Sequence, residues 1–74
     1  MVDFLELLAR ADEAKTKLAF AIIRQMEAAE RFASDPAAYI DLVEARAKTE
    51  QVRLEFKTAK SALLAAAEKR QRIS

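Results

Sequence analysis

The sequence predicts an all-α antiparallel two-helix hairpin of coiled-coil type. Three observations carry this. Glycine is absent from the 74 residues. The only proline sits near mid-chain, in Ser34-Asp35-Pro36. Apolar residues recur at alternating steps of three and four on both sides of that proline. Steps of three and four mark one face of a helix. Without glycine, hairpin-rich β structure and phosphate-cradling loops lose the residue that supplies positive φ and close backbone approach. Seventeen alanines, with many Leu, Glu, Lys and Arg, add strong helix propensity.

The first helix is expected from Asp3 to about Ala33. Asp3 suits an N-cap, and Glu6 three residues on completes a capping-box pattern. Its seam reads Phe4, Leu8, Ala11, Lys15, Leu18, Ile22, with Gln25, Ala29 and Phe32 beyond. Ser34-Asp35-Pro36 is the break, with Asp35 as cap and Pro36 in the first helical position, where its missing N–H costs nothing. The second helix runs from Pro36 to about Arg70 and frays over residues 71–74. Its seam is Ala38, Leu42, Ala45, Thr49, Val52, Phe56, then Ala59, Leu63 and Ala66. Paired numbers across the two seams total 70 or 71 at every rung, so Leu42 should meet Ala29, Ile22 meet Thr49, and Phe4 meet Ala66.

Two seam positions are polar. Lys15 is expected to snorkel, its stem on Phe56 and its ammonium in water. Gln25 is a candidate for fixing register. On the outside, Glu6/Arg10, Glu13/Lys17, Glu27/Arg31, Glu44/Lys48 and Glu68/Arg72 set acid four residues before base, the favoured orientation for a helical pair.

Composition excludes much chemistry. There is no cysteine and no histidine, so disulfides, thiolate catalysis, sulfur metal sites and the commonest general base are absent. The carboxylate pairs Asp12/Glu13 and Glu27/Glu30 fall on outer faces, and Ser61 and Ser74 have no base to activate them. Two packed helices are expected to form ridges without a pocket. The reading is therefore no enzyme, no cofactor and no metal. Net charge is +1, divided as −2 over residues 1–36 and +3 over 37–74. No apolar run reaches the length of a membrane span, and no secretory signal is visible, which points to the cytoplasm or to signal-independent export.

A second apolar line on helix two comprises Ile40, Val43, Ala47, Leu54, Leu64 and Ala65, with Tyr39 at its start and Glu50, Lys57 and Ser61 interrupting it. Helix one adds Leu5, Phe20 and Ile23 off its seam. A lone hairpin would leave these faces in water, and a chain this short is marginal alone. The expectation is a protein-binding module, an adaptor or small chaperone. It would form a homodimeric four-helix bundle or clasp an amphipathic helix of another protein. Its partner-binding residues would be Tyr39, Ile40, Val43, Leu54 and Leu64, with Phe20 and Ile23. An RNA-binding dimer is an alternative, resting on Arg53, Lys57 and Lys60 and on the basic end Lys69-Arg70-Gln71-Arg72. Acids among these bases and the lack of interleaved aromatic groups count against nucleic acid.

The turn Ser34-Asp35-Pro36-Ala37 between two long helices resembles that of type III secretion needle subunits. The spacing of Asp41, Ala45, Lys48, Leu63, Leu64 and Ala66 is similar to the C-terminal helix of rod-type proteins of flagellar and related systems. The small needle chaperones resemble this hairpin in size and shape. The likeness covers residues 34–66, about half of the chain, and rests on short motifs. It implies a hairpin that works through helix faces outside its own seam, either as a polymerising structural subunit or as a chaperone. A polar, basic C-terminus and the lack of a loose polar N-terminal segment depart from the exported subunits and favour the chaperone or adaptor.

Overall fold

A computed structural model describes residues 3–73, the last two by backbone alone. It is an antiparallel hairpin of two helices, α1 (Phe4–Ser34) and α2 (Tyr39–Ile73), joined by a single 3-10 turn over Pro36–Ala38. The molecule measures 58 × 17 × 13 Å.

The junction follows from Asp35 and Pro36. Asp35 is extended, φ −142° and ψ 107°, as the residue before a proline prefers. Its backbone N–H donates to the Arg31 carbonyl at 2.8 Å and closes α1. Its carboxylate accepts from the Ala37 N–H at 3.0 Å, and its carbonyl accepts from the Ala38 N–H at 3.0 Å. One residue thus ends one helix and caps the next. The α-helical pattern of α2 begins at Tyr39, three residues later than expected, because the first turn tightens to 3-10 geometry, common at helix ends. At the other end α2 continues through Ile73.

The N-terminal cap differs from expectation. Asp3 occupies the cap position, but its side chain accepts no cap bond. Its carbonyl accepts from the Leu7 N–H at 3.0 Å, while Glu6 turns away to pair with Arg10 at 3.1 Å. The i,i+4 ion pair has won over the capping box.

The seam of α2 falls where the spacing put it. Ala38, Leu42, Thr49 and Val52 are buried, and Ala45, Phe56, Ala59, Leu63 and Ala66 are half-buried. The seam of α1 shares Phe4, Ala11, Leu18 and Gln25 with the expectation, but its alternate rungs are Leu7, Ala14, Ala21 and Ala28. Leu8, Lys15, Ile22 and Ala29 are exposed instead. Thr49 shows the reason. Its hydroxyl lies 3.2 Å from the Ala21 carbonyl of the facing helix and 2.9 Å from the Ala45 carbonyl of its own turn. A side chain that short reaches the opposite backbone only where the helices come close. Alanines at 14, 21 and 28, one per heptad, allow the approach; Lys15 and Ile22 would block it. Lys15 therefore does not snorkel over the seam. The cross-helix hydrogen bond comes from Thr49, not Gln25.

Three contacts fix the register. Thr49 bonds to Ala21, the Phe32 and Tyr39 rings stand 5.6 Å apart at the turn, and the Arg70 guanidinium lies 4.6 Å from the Phe4 ring centroid at the free end. The Thr49 and Phe32 pairs keep the totals of 70 and 71. Of the expected ion pairs, Glu6–Arg10 and Glu13–Lys17 form, at 3.1 and 3.6 Å. Glu27 with Arg31 and Glu44 with Lys48 do not, and Arg72 lies outside the described side chains. Glu50–Arg53, spaced three apart, forms at 2.8 Å.

Candidate interaction surface

With the seam fixed, helix periodicity divides the remaining surface into two flanks and two backs. One flank carries a heptad row of cations on α1: Arg10, Lys17, Arg24 and Arg31. Opposite them on α2 stand Asp41, Glu44, Lys48 and Glu55. Open grooves run along this flank, where ridges without hollows were expected. The groove near the free end, about 540 Å³, has an apolar floor including Leu7, Leu54, Ala59 and Ala62, edged by Arg10 and Glu55. The groove nearer the turn has charged walls, with Arg24, Glu27 and Arg31 facing Asp41, Glu44 and Lys48.

The other flank is richer in large apolar groups. On α1 it presents Leu5, Leu8, Ile22 and Met26, and on α2 Tyr39, Val43 and Leu64. Every one of these is exposed, Leu5 to 68% and Met26 to 60%. They gather in two clusters, Leu5, Leu8 and Leu64 at the free end and Ile22, Met26 and Val43 toward the turn. Between and beside them lie the charged residues Asp12, Lys15, Arg46, Lys57 and Lys60 and the Glu50–Arg53 pair.

All seven residues singled out by sequence are exposed: Tyr39, Ile40, Val43, Leu54, Leu64, Phe20 and Ile23. They do not share one face. Val43 and Leu64 lie on the apolar flank, and Tyr39 joins them with its ring tilted 51° against Phe32. Ile40 and Ile23 lie on the backs of their helices. Leu54 reaches from the back of α2 into the free-end groove of the charged flank. Phe20 faces that flank too, in a hollow with Lys17, Arg24, Lys48 and Glu55. Sequence reasoning missed Leu8, Ile22 and Met26. The sequence spacing sets the first two in the hairpin seam. The signal lay in a second heptad line on α1 through Leu5, Leu8, Asp12, Lys15, Ala19, Ile22 and Met26.

Among the described residues, no buried side-chain polar atom lacks a hydrogen-bond partner. Among those residues, no group of three or more His, Cys, Asp or Glu could hold a metal ion. No described helix is long and apolar enough to cross a membrane. The chain matches no protein-family model, no characterised protein and no solved structure.

Proposed function

We propose that this hairpin is a non-enzymatic protein-interaction module that completes its core by burying its exposed apolar helix face against other helices. Its simplest partner is itself, in a four-helix bundle. The observation that carries this reading is surface area. The chain exposes 6009 Å². A compact monomer of 8.3 kDa exposes about 4,600 Å² by the usual mass scaling. The excess, about 1,400 Å², exceeds the ~800 Å² per partner of a standard protein interface. Much of the exposed surface is large and apolar, while the hairpin core is mostly alanine.

Sedimentation equilibrium tests the reading. The chain should run as a dimer or larger species at micromolar concentration. Replacing Val43 and Leu64, which share the apolar flank, together with Glu should give monomer or unfolded chain. A wild-type monomer that melts cooperatively would leave only a heterologous helix as partner. The likeness of the turn to needle subunits supports a polymerising variant of the same reading, in which concentration-dependent filaments replace a closed dimer.

A further inference from the structure

We propose that two hairpins pair turn end to turn end across the apolar flank, so that α1 of each copy lies along α2 of the other. This rests on the self-association reading above and specifies its geometry. The choice of flank follows from chemistry. On the charged flank, Phe20 is the one large apolar group that α1 presents, beside Lys17, Arg24, Lys48 and Glu55, so burial there would desolvate charges of both signs for little apolar gain. The opposite flank offers Leu5, Leu8, Ile22, Met26, Val43 and Leu64, with the long cations Lys15, Arg46, Arg53, Lys57 and Lys60 free to lay their stems along it and keep their charges in water.

The arrangement follows from register. The Thr49–Ala21 contact sets residue n of α1 level with residue 70 − n of α2. In a turn-to-turn pair, α1 of one copy meets α2 of the other at these same levels. Leu64 of the second copy then falls between Leu5 and Leu8 of the first. Val43 of the second copy falls one residue from Met26. Asp12 falls one residue from Lys57, opposite charges that have no ion-pair partner among the described residues of their own hairpin. Lys15 falls two residues from Arg53, whose charge Glu50 already meets at 2.8 Å, and Arg46 falls level with residue 24, between Ile22 and Met26, where its stem can lie on both. The two-fold operation repeats every pair, so each match counts twice.

The inverted pairing, turn end to free end, stacks like helices on each other. About the midpoint of α1, Asp12 then meets Met26. On α2, Arg46 falls one residue from Lys57 and Lys60 one residue from Val43. Asp12 thereby loses its cationic partner to an apolar group and two cations come to face each other, the costlier arrangement in a buried interface.

A spin label at the exposed turn residue Ala37 reads the arrangement directly, in the full chain. Turn-to-turn pairing places the two labels about 20 Å apart, given helices packed at 8–10 Å. Inverted pairing separates them by most of the 58 Å length of the hairpin. A distance near 20 Å supports the proposal, and one near the hairpin length overturns it. Charge reversal gives a second readout, with helicity by circular dichroism confirming that each variant folds. Asp12→Lys should weaken the dimer roughly tenfold or more by placing like charges together. Asp12→Lys with Lys57→Asp should restore it to within a few fold. Failure of the double variant to recover, while it folds and dimerises weakly, overturns the proposed facing pair. A monomer by mass with no dipolar coupling means the self-association reading itself has failed. A dimer by mass with a long distance means only the arrangement has.

Discussion

Ala28 and Ala29 are adjacent and chemically identical, yet they occupy opposite situations. Ala28 is 1% exposed at the seam, while Ala29 is exposed on the flank. Enlarging each to leucine isolates the phase of α1. Leucine adds three carbons. At Ala28 there is no space for them, and neighbouring rungs at Ala21 and Leu42 are themselves 6% exposed, so the helices must separate. Overpacking of this kind costs about 1–3 kcal/mol. At about 4–8 °C per kcal/mol for a domain of this size, a 2 kcal/mol loss lowers Tm by about 8–16 °C. Ala29→Leu should leave Tm within about 2–4 °C of the parent or raise it, since exposed substitutions stay within about 0.5 kcal/mol. Thermal melts followed at 222 nm suffice. If Ala29→Leu is the more damaging, the seam runs through Leu8, Lys15, Ile22 and Ala29, and the account of close approach is wrong.

Further outcomes follow from individual contacts. Thr49→Val keeps the shape and removes the hydroxyl shared by Ala21 and Ala45; urea denaturation should show a loss of about 0.5–1.5 kcal/mol, and no loss would mean the bond is incidental. Asp35→Ala should cost about 1 kcal/mol by removing the carboxylate that accepts from Ala37, while Asp3→Ala, where no cap bond forms, should cost measurably less. A double-mutant cycle on Phe4 and Arg70 should give a coupling of about 0.5–1 kcal/mol, and a zero coupling would remove the cation–π contact from the description of the free end.

The hairpin was legible because its signals are local. Proline with a capping Asp stops a helix wherever it occurs, and the seam of α2 has large residues at Leu42, Val52, Phe56 and Leu63 that leave one plausible face. The phase of α1 was less legible because it carries two apolar lines one residue apart. Size favoured the line through Leu8 and Ile22, and hydropathy counting rewards size. The structure chose the line through Ala14, Ala21 and Ala28, because close backbone approach rewards smallness and lets Thr49 reach across. That gain belongs to the pair of helices and has no signature in either alone. The exposed apolar flank inherited the same error: with Leu8 and Ile22 placed in the seam, the flank they form with Met26 could not be assembled. Tyr39, Val43 and Leu64 lie exposed on that flank, where the phase read for α2 places them.

The central claim is that the hairpin is incomplete alone, and the concentration dependence of its melting tests this most directly. If folding is coupled to pairing, raising the chain from about 1 to about 100 µM adds about 2.7 kcal/mol per dimer. At about 2–4 °C per kcal/mol for an assembly of twice this length, Tm should rise by about 5–11 °C. A cooperative transition whose midpoint does not move over that range would contradict the claim, and would show that an alanine-rich two-helix core stands without a partner.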